Sequence, residues 1–224
     1  MTTDEVLDQL RARGSDKLRA QSMARGVGGE QFGVMMGDIR KLAKAIKKDH
    51  ALAMELWATE VLEARLLAIL IMDIKELTPD ALDNLVRSNT QTPVSDWLNN
   101  YIVKAHPDKE ALRLKWMASK TPIAARAGWS LTAERIEKSP DGLDLPALLA
   151  RIEAELADAD ELPKWTMNVA LANIGINHPN LRERATAIGN KLGVYRDYPT
   201  PKGCTSPFAP LWIGEMVRRQ TPLP

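Results

Sequence analysis

The sequence predicts an all-α chain, an α-solenoid of HEAT- or armadillo-like helical repeats over residues 1–194 with a loop-rich C-terminal tail, residues 195–224. Three observations predict it. Apolar residues recur at helical spacing along most of the 224 residues, and no run alternates with the two-residue period of a strand. Proline, glycine and cap residues divide the chain into short segments. One of those segments has echoes of itself elsewhere.

The echo centres on Leu112 to Glu134, LRLKWMASKTPIAARAGWSLTAE. A helix closes on Trp116, Thr121 and Pro122 suit the N-cap and first turn of the next helix, and Arg126 follows among Ala124, Ala125, Ala127 and Gly128. Upstream, Trp57 followed by Ala64-Arg65 has the same form. A third copy, KWTMNVALANIG from Lys164, has Asn168 in the arginine's place. The steps are roughly 60 and roughly 42 residues, the second within the range of HEAT and armadillo repeats. Such repeats bury their apolar faces against one another.

In chain order, residues 4–13 form an amphipathic helix. Ser15 to Gly28 reads as a basic helix that ends in glycines. Asp38 is a candidate N-cap for a helix with Ile39, Leu42, Ala43 and Ile46 on one face and Arg40, Lys41, Lys44, Lys47 and Lys48 around the rest. That surface is either a solvated face or one that meets phosphates. His50 to Ala58 is a short helix. Leu62 to Leu77 is apolar almost all round, which predicts a buried central helix. Thr78 caps the next one, with Asp80 in its first turn. VSDWLNNYIVKAH, from Val94, is another helix, with Asp96 or Ser95 as candidate caps.

Ser139 to Gly142 is a turn. The helix after it presents Leu148, Leu149, Ile152 and Leu156. Trp165 to Gly175 is the third apolar helix, and Leu181 to Gly193 another. The tail is read as an ordered strap, because Tyr195, Tyr198, Phe208 and Trp212 need cover.

Composition sets bounds. Hydrophobic residues are 45% and charged residues 26% of the chain, usual values for a globular protein. A single cysteine, Cys204, leaves no intrachain disulfide and suits a reducing, cytoplasmic setting; no partner base stands near it, so burial is its expected state. The N-terminus is polar rather than a leader, and the apolar run Leu66 to Met72 is too short to span a bilayer. The three histidines and one cysteine have no metal spacing, so neither metal nor cofactor is expected. Net charge is only +1, but residues 1–48 carry ten Lys/Arg against six Asp/Glu. A near-neutral chain binds nucleic acid when its cations share a face.

FGVMMGDIRKLAKAI, ELWATEVLEARLLAILIMD and WMASKTPIAARAGWSL resemble the DNA alkylation repair family, which includes the HEAT-repeat DNA glycosylases of AlkD type. The resemblance spans about residues 10–190. It implies a solenoid that cradles duplex DNA, possessing in the characterised glycosylases the ability to release N3- and N7-alkylated purines. In that chemistry the alkylated base leaves as a good leaving group, a carboxylate stabilises the oxocarbenium-like sugar, indole faces add cation–π stabilisation, and an arginine holds a phosphate.

Carried over by position, the resemblance makes Arg126 the phosphate-binding arginine and Trp97 an active-site indole. The pattern's aspartate, four residues after that tryptophan, is here Tyr101. Asp96 is the adjacent acid and so the candidate carboxylate, although a one-residue offset turns a side chain about 100° around a helix. Leu171 stands where a second indole belongs, with Trp129 or Trp165 as substitutes. The candidate catalytic set is therefore Asp96, Trp97 and Arg126. The candidate DNA contacts are Arg40, Lys44, Lys47, Asn100, Tyr101, Lys104, Arg126 and Trp129. Each has a plain structural alternative: an ion pair for Arg126, a core or groove wall for Trp97, an N-cap for Asp96. The functions left open are an alkylpurine glycosylase, a non-catalytic repeat protein that binds DNA of unusual shape, and a protein–protein scaffold. A monomer is expected.

Overall fold

In the computed structural model, which describes residues 1–220, the chain is helical and falls into two compact units, Met1–Glu110 and Ala111–Pro224. The first unit is built around α5 (Leu62–Ile71), against which α1 (Thr3–Arg11), α3 (Met36–Ile46), α4 (His50–Ala58) and α7 (Thr92–Tyr101) pack. Nine of the ten residues of α5 are buried, among them Glu63 and Arg65. α2 (Asp16–Ala24) and α6 (Pro79–Arg87) complete this unit.

Local chemistry explains the starts. Thr2 and Glu5 form a reciprocal capping box at α1, Ser15 caps α2, Asp49 caps α4, and Thr78 caps α6 with Pro79 in the first turn.

Several boundaries differ from the sequence reading. α5 stops at Ile71, because Met72 turns extended and Asp73 caps a short 3-10 turn at Ile74–Glu76. α3 starts earlier than Asp38: Met35 is its N-cap, and Asp38 sits in the first turn and pairs with Lys41 at 2.9 Å. Neither Ser95 nor Asp96 caps α7. Its N-cap is Gln91, since Pro93 is accommodated in the first turn.

The second unit is built around α11 (Glu161–Asn177), which meets α9 (Pro122–Lys138), α10 (Leu145–Glu155), α12 (Arg182–Leu192) and α13 (Ala209–Gln220). α8 (Lys109–Met117) begins at the division between the units. The small-residue run in α9 permits a close approach. A Cβ on Gly128 would lie 2.8 Å from the backbone nitrogen of Met117.

The tail holds a helix that the sequence reading took as part of the strap. α13 places Ala209, Ile213, Met216 and Val217 against the core of this unit. Before it, Phe208 and Pro207 are buried. The last four residues of the tail, 221–224, lie outside the described residues.

Candidate nucleic-acid interface

The repeated position has one structural use in all three copies. Arg65 is buried and donates from Nε to the Trp57 carbonyl at 3.1 Å. Arg126 is buried and donates to the Leu162 carbonyl at 3.0 Å. Asn168, 1% exposed, donates to the Pro207 carbonyl at 2.8 Å. Each ties its helix to a neighbouring backbone segment, which answers the desolvation of a buried donor. Burial pulls the Arg65 guanidinium below its ordinary value, while Glu60, 3.3 Å away, pulls it back up. The resemblance implies a phosphate contact at Arg126; in the fold that side chain ties its helix to the Leu162 carbonyl.

Glu63, two residues before Arg65, has a role that the sequence reading missed. Its carboxylate accepts from the backbone N–H groups of Phe32 (2.9 Å), Gly33 (2.7 Å) and Val34 (3.2 Å). A buried carboxylate so satisfied fixes the loop that leads into α3. The same loop donates nothing else to chance: the Ser15 N–H bonds the Phe32 carbonyl at 3.0 Å, and Gly33 has a φ of 77° with no room for a side chain beside Ser15 and Arg19.

That loop delivers α3 to the one place where sequence-predicted candidates converge. Arg40, Ala43, Lys44, Lys47, Lys48, Leu70 and Tyr101 line an open groove of about 430 Å³. Helical spacing puts Arg40 and Lys44 on one face of α3, and Lys47 and Lys48 follow directly on its last turn. No carboxylate is among these lining residues. Lys44 and Lys47 are exposed and make no ion pair among the described residues. Lys48 donates to the carbonyls of Met72 (2.6 Å) and Leu70 (3.3 Å), and so serves the C-terminal end of α5.

Trp97 joins this wall. The Arg40 guanidinium lies 5.0 Å from its ring centroid, and the Tyr101 ring lies 5.3 Å from it. Tyr101 is 43% exposed and lines the groove. Asn100 and Lys104 are joined to each other at 2.8 Å, one turn apart. Asp96 is exposed on the turn before them and is not among the residues lining the groove. Its offset from Trp97 is thus carried into the fold.

Two candidates are corrected. Trp129, expected at the DNA surface, is 1% exposed in the core of the second unit, with Arg151 over its ring at 5.1 Å. An indole so placed packs rather than binds. Cys204, expected to be buried, is exposed on the turn at Gly203, whose φ is 85°. Trp165 lies in a cluster with Tyr195 (5.4 Å) and Tyr198 (6.1 Å) in the second unit. Among the described residues no group of three His, Cys, Asp or Glu side chains is placed to hold a metal, and no helix is long and apolar enough to cross a membrane.

Comparisons with known proteins agree on the fold. The model of the DNA alkylation repair enzyme family matches residues 6–198. A search of curated proteins finds no match. A solved structure, described as "a new family of proteins related to the HEAT-like repeat DNA glycosylases with affinity for branched DNA structures", superposes with a TM-score of 0.78. It is 24% identical, over 98% of this chain and 95% of that one.

Proposed function

This chain belongs to the DNA alkylation repair enzyme family, and from that premise we propose that it binds the phosphate backbone of DNA through the α3 groove. The observation that carries the reading is the groove's charge. Arg40, Lys44, Lys47 and Lys48 line it without a carboxylate. Cations on one face hold phosphates and carry no sequence information by themselves. Tyr101 adds a flat ring at the same wall, and Trp97 backs it and Arg40. The solved relative is described by its affinity for branched DNA, and branched DNA is the substrate class we carry over.

Base release is the second reading, supported by the family's description as an enzyme. The groove favours binding over that chemistry. An alkylated purine is cationic until its glycosidic bond breaks, and Arg40 already occupies one face of the Trp97 indole that would receive it. The groove has no carboxylate to offset developing positive charge on the sugar. A Lys44→Glu, Lys47→Glu double variant tests the reading. Its affinity for a branched DNA is expected to fall by at least roughly tenfold with the thermal transition unchanged. Unchanged affinity in a folded variant refutes the groove as the DNA site.

A further inference from the structure

One feature of the groove's end is left unexplained by phosphate binding. Met35 and Met36, the N-cap and first residue of α3, are 62% and 37% exposed. Scattered exposed apolar residues are ordinary. These two are adjacent, and they follow directly on the loop that Glu63 pins with three hydrogen bonds. The backbone that carries them is therefore fixed in place. Met36 lies one turn before Arg40 and on the same stripe as Arg40 and Ala43, by the spacing i, i+4 and i+7. The cation row thus ends in an apolar tip.

Gly37 strengthens the case. Its φ is not positive, and a Cβ there would meet nothing within 4 Å. Neither conformation nor packing requires a glycine, and glycine is unfavourable in a helix. Its absent side chain leaves the backbone beside Met36 open to close approach.

We propose that Met36, flanked by Met35, is an apolar wedge that stacks on the base-pair face exposed where a duplex is interrupted, at a junction, nick or gap. Arg40, Lys44 and Lys47 hold the phosphates next to the interruption. An apolar side chain entering a continuous duplex must first unstack a base step. At an interruption the backbone no longer holds that step together, so parting it costs less and the wedge selects interrupted over continuous DNA. Methionine suits the task, because its flexible thioether fits base faces of differing geometry. The inference rests on the phosphate-binding reading of the groove and names what discriminates there.

The test compares the wild type with a Met35→Ser, Met36→Ser variant. Anisotropy would measure binding to a four-way junction, a nicked duplex and a continuous duplex of equal length. A 2-aminopurine at the interruption would report stacking directly. The wild type is expected to prefer interrupted DNA by roughly tenfold and to brighten the 2-aminopurine, whose neighbouring base the wedge displaces. In the variant, binding to continuous duplex stays at the wild-type level, the preference falls to within about twofold, and the brightening is lost. A variant that keeps the preference, or a wild type with none, overturns the wedge and leaves the groove reading standing. A wild type that binds none of the three DNAs at low salt overturns both.

Discussion

Lys47 ends α3 with φ 67° and ψ −155°, a region that glycine occupies almost alone. A lysine held there costs of order 1–3 kcal/mol. It lines the groove, so the strain sits where a cation is useful. Lys47→Gly is expected to raise folding stability by about 1 kcal/mol in urea denaturation while weakening DNA binding roughly fivefold. A destabilised variant contradicts the strain. Tyr195 gives a second test. It too has a positive φ, 61°, and burial pushes its phenol up to about 12, helped by Glu161 and Tyr198 and opposed by Arg126. A free phenol ionises near pH 10. The contribution of this ring to stability is therefore whole below pH 10 and is lost as the pH rises toward about 12. In an alkaline titration followed by tyrosinate absorbance, one phenol should ionise only near the top of that window, and Tyr195→Phe should remove that late phase. A late phase that persists in the variant assigns it to another residue.

Among the elements, α9 is the most legible in the sequence. Its run of alanines with Gly128 announces a close helix contact, and the Gly128 Cβ position lies 2.8 Å from Met117 N and 2.9 Å from the Trp116 carbonyl carbon. Those are backbone atoms, which cannot swing aside. Gly128→Ala is accordingly expected to cost about 2–3 kcal/mol by thermal or chemical denaturation; a loss under about 0.5 kcal/mol would mean that α8 and α9 separate easily. The cation row of α3 was equally legible, because i, i+4 spacing fixes a face. What stayed hidden depends on contacts distant in sequence. That Glu63 serves a loop some thirty residues away leaves no local trace. The burial of Trp129 under Arg151 is of the same kind. The start of α7 at Gln91 is set by Asn89, whose side chain bonds both the N–H and the carbonyl of Gln91. α13 was concealed by the prolines around it, although Pro210 falls in the first turn, where it is tolerated.

For the whole chain, the sequence resemblance, the family match over residues 6–198 and the all-helical fold point one way. At the proposed site, Tyr101 stands where the resemblance implies an acid, Asp96 is not among the groove's lining residues, and four cations are. The most direct measurement is the salt dependence of DNA affinity for the wild type and for Lys44→Ala, Lys47→Ala. With up to four phosphate contacts at about −0.9 each, the log–log slope should lie near −3 to −4, and the double variant should lower its magnitude by about 2. An affinity indifferent to salt, or a slope that the two substitutions leave unchanged, would contradict binding through the α3 groove.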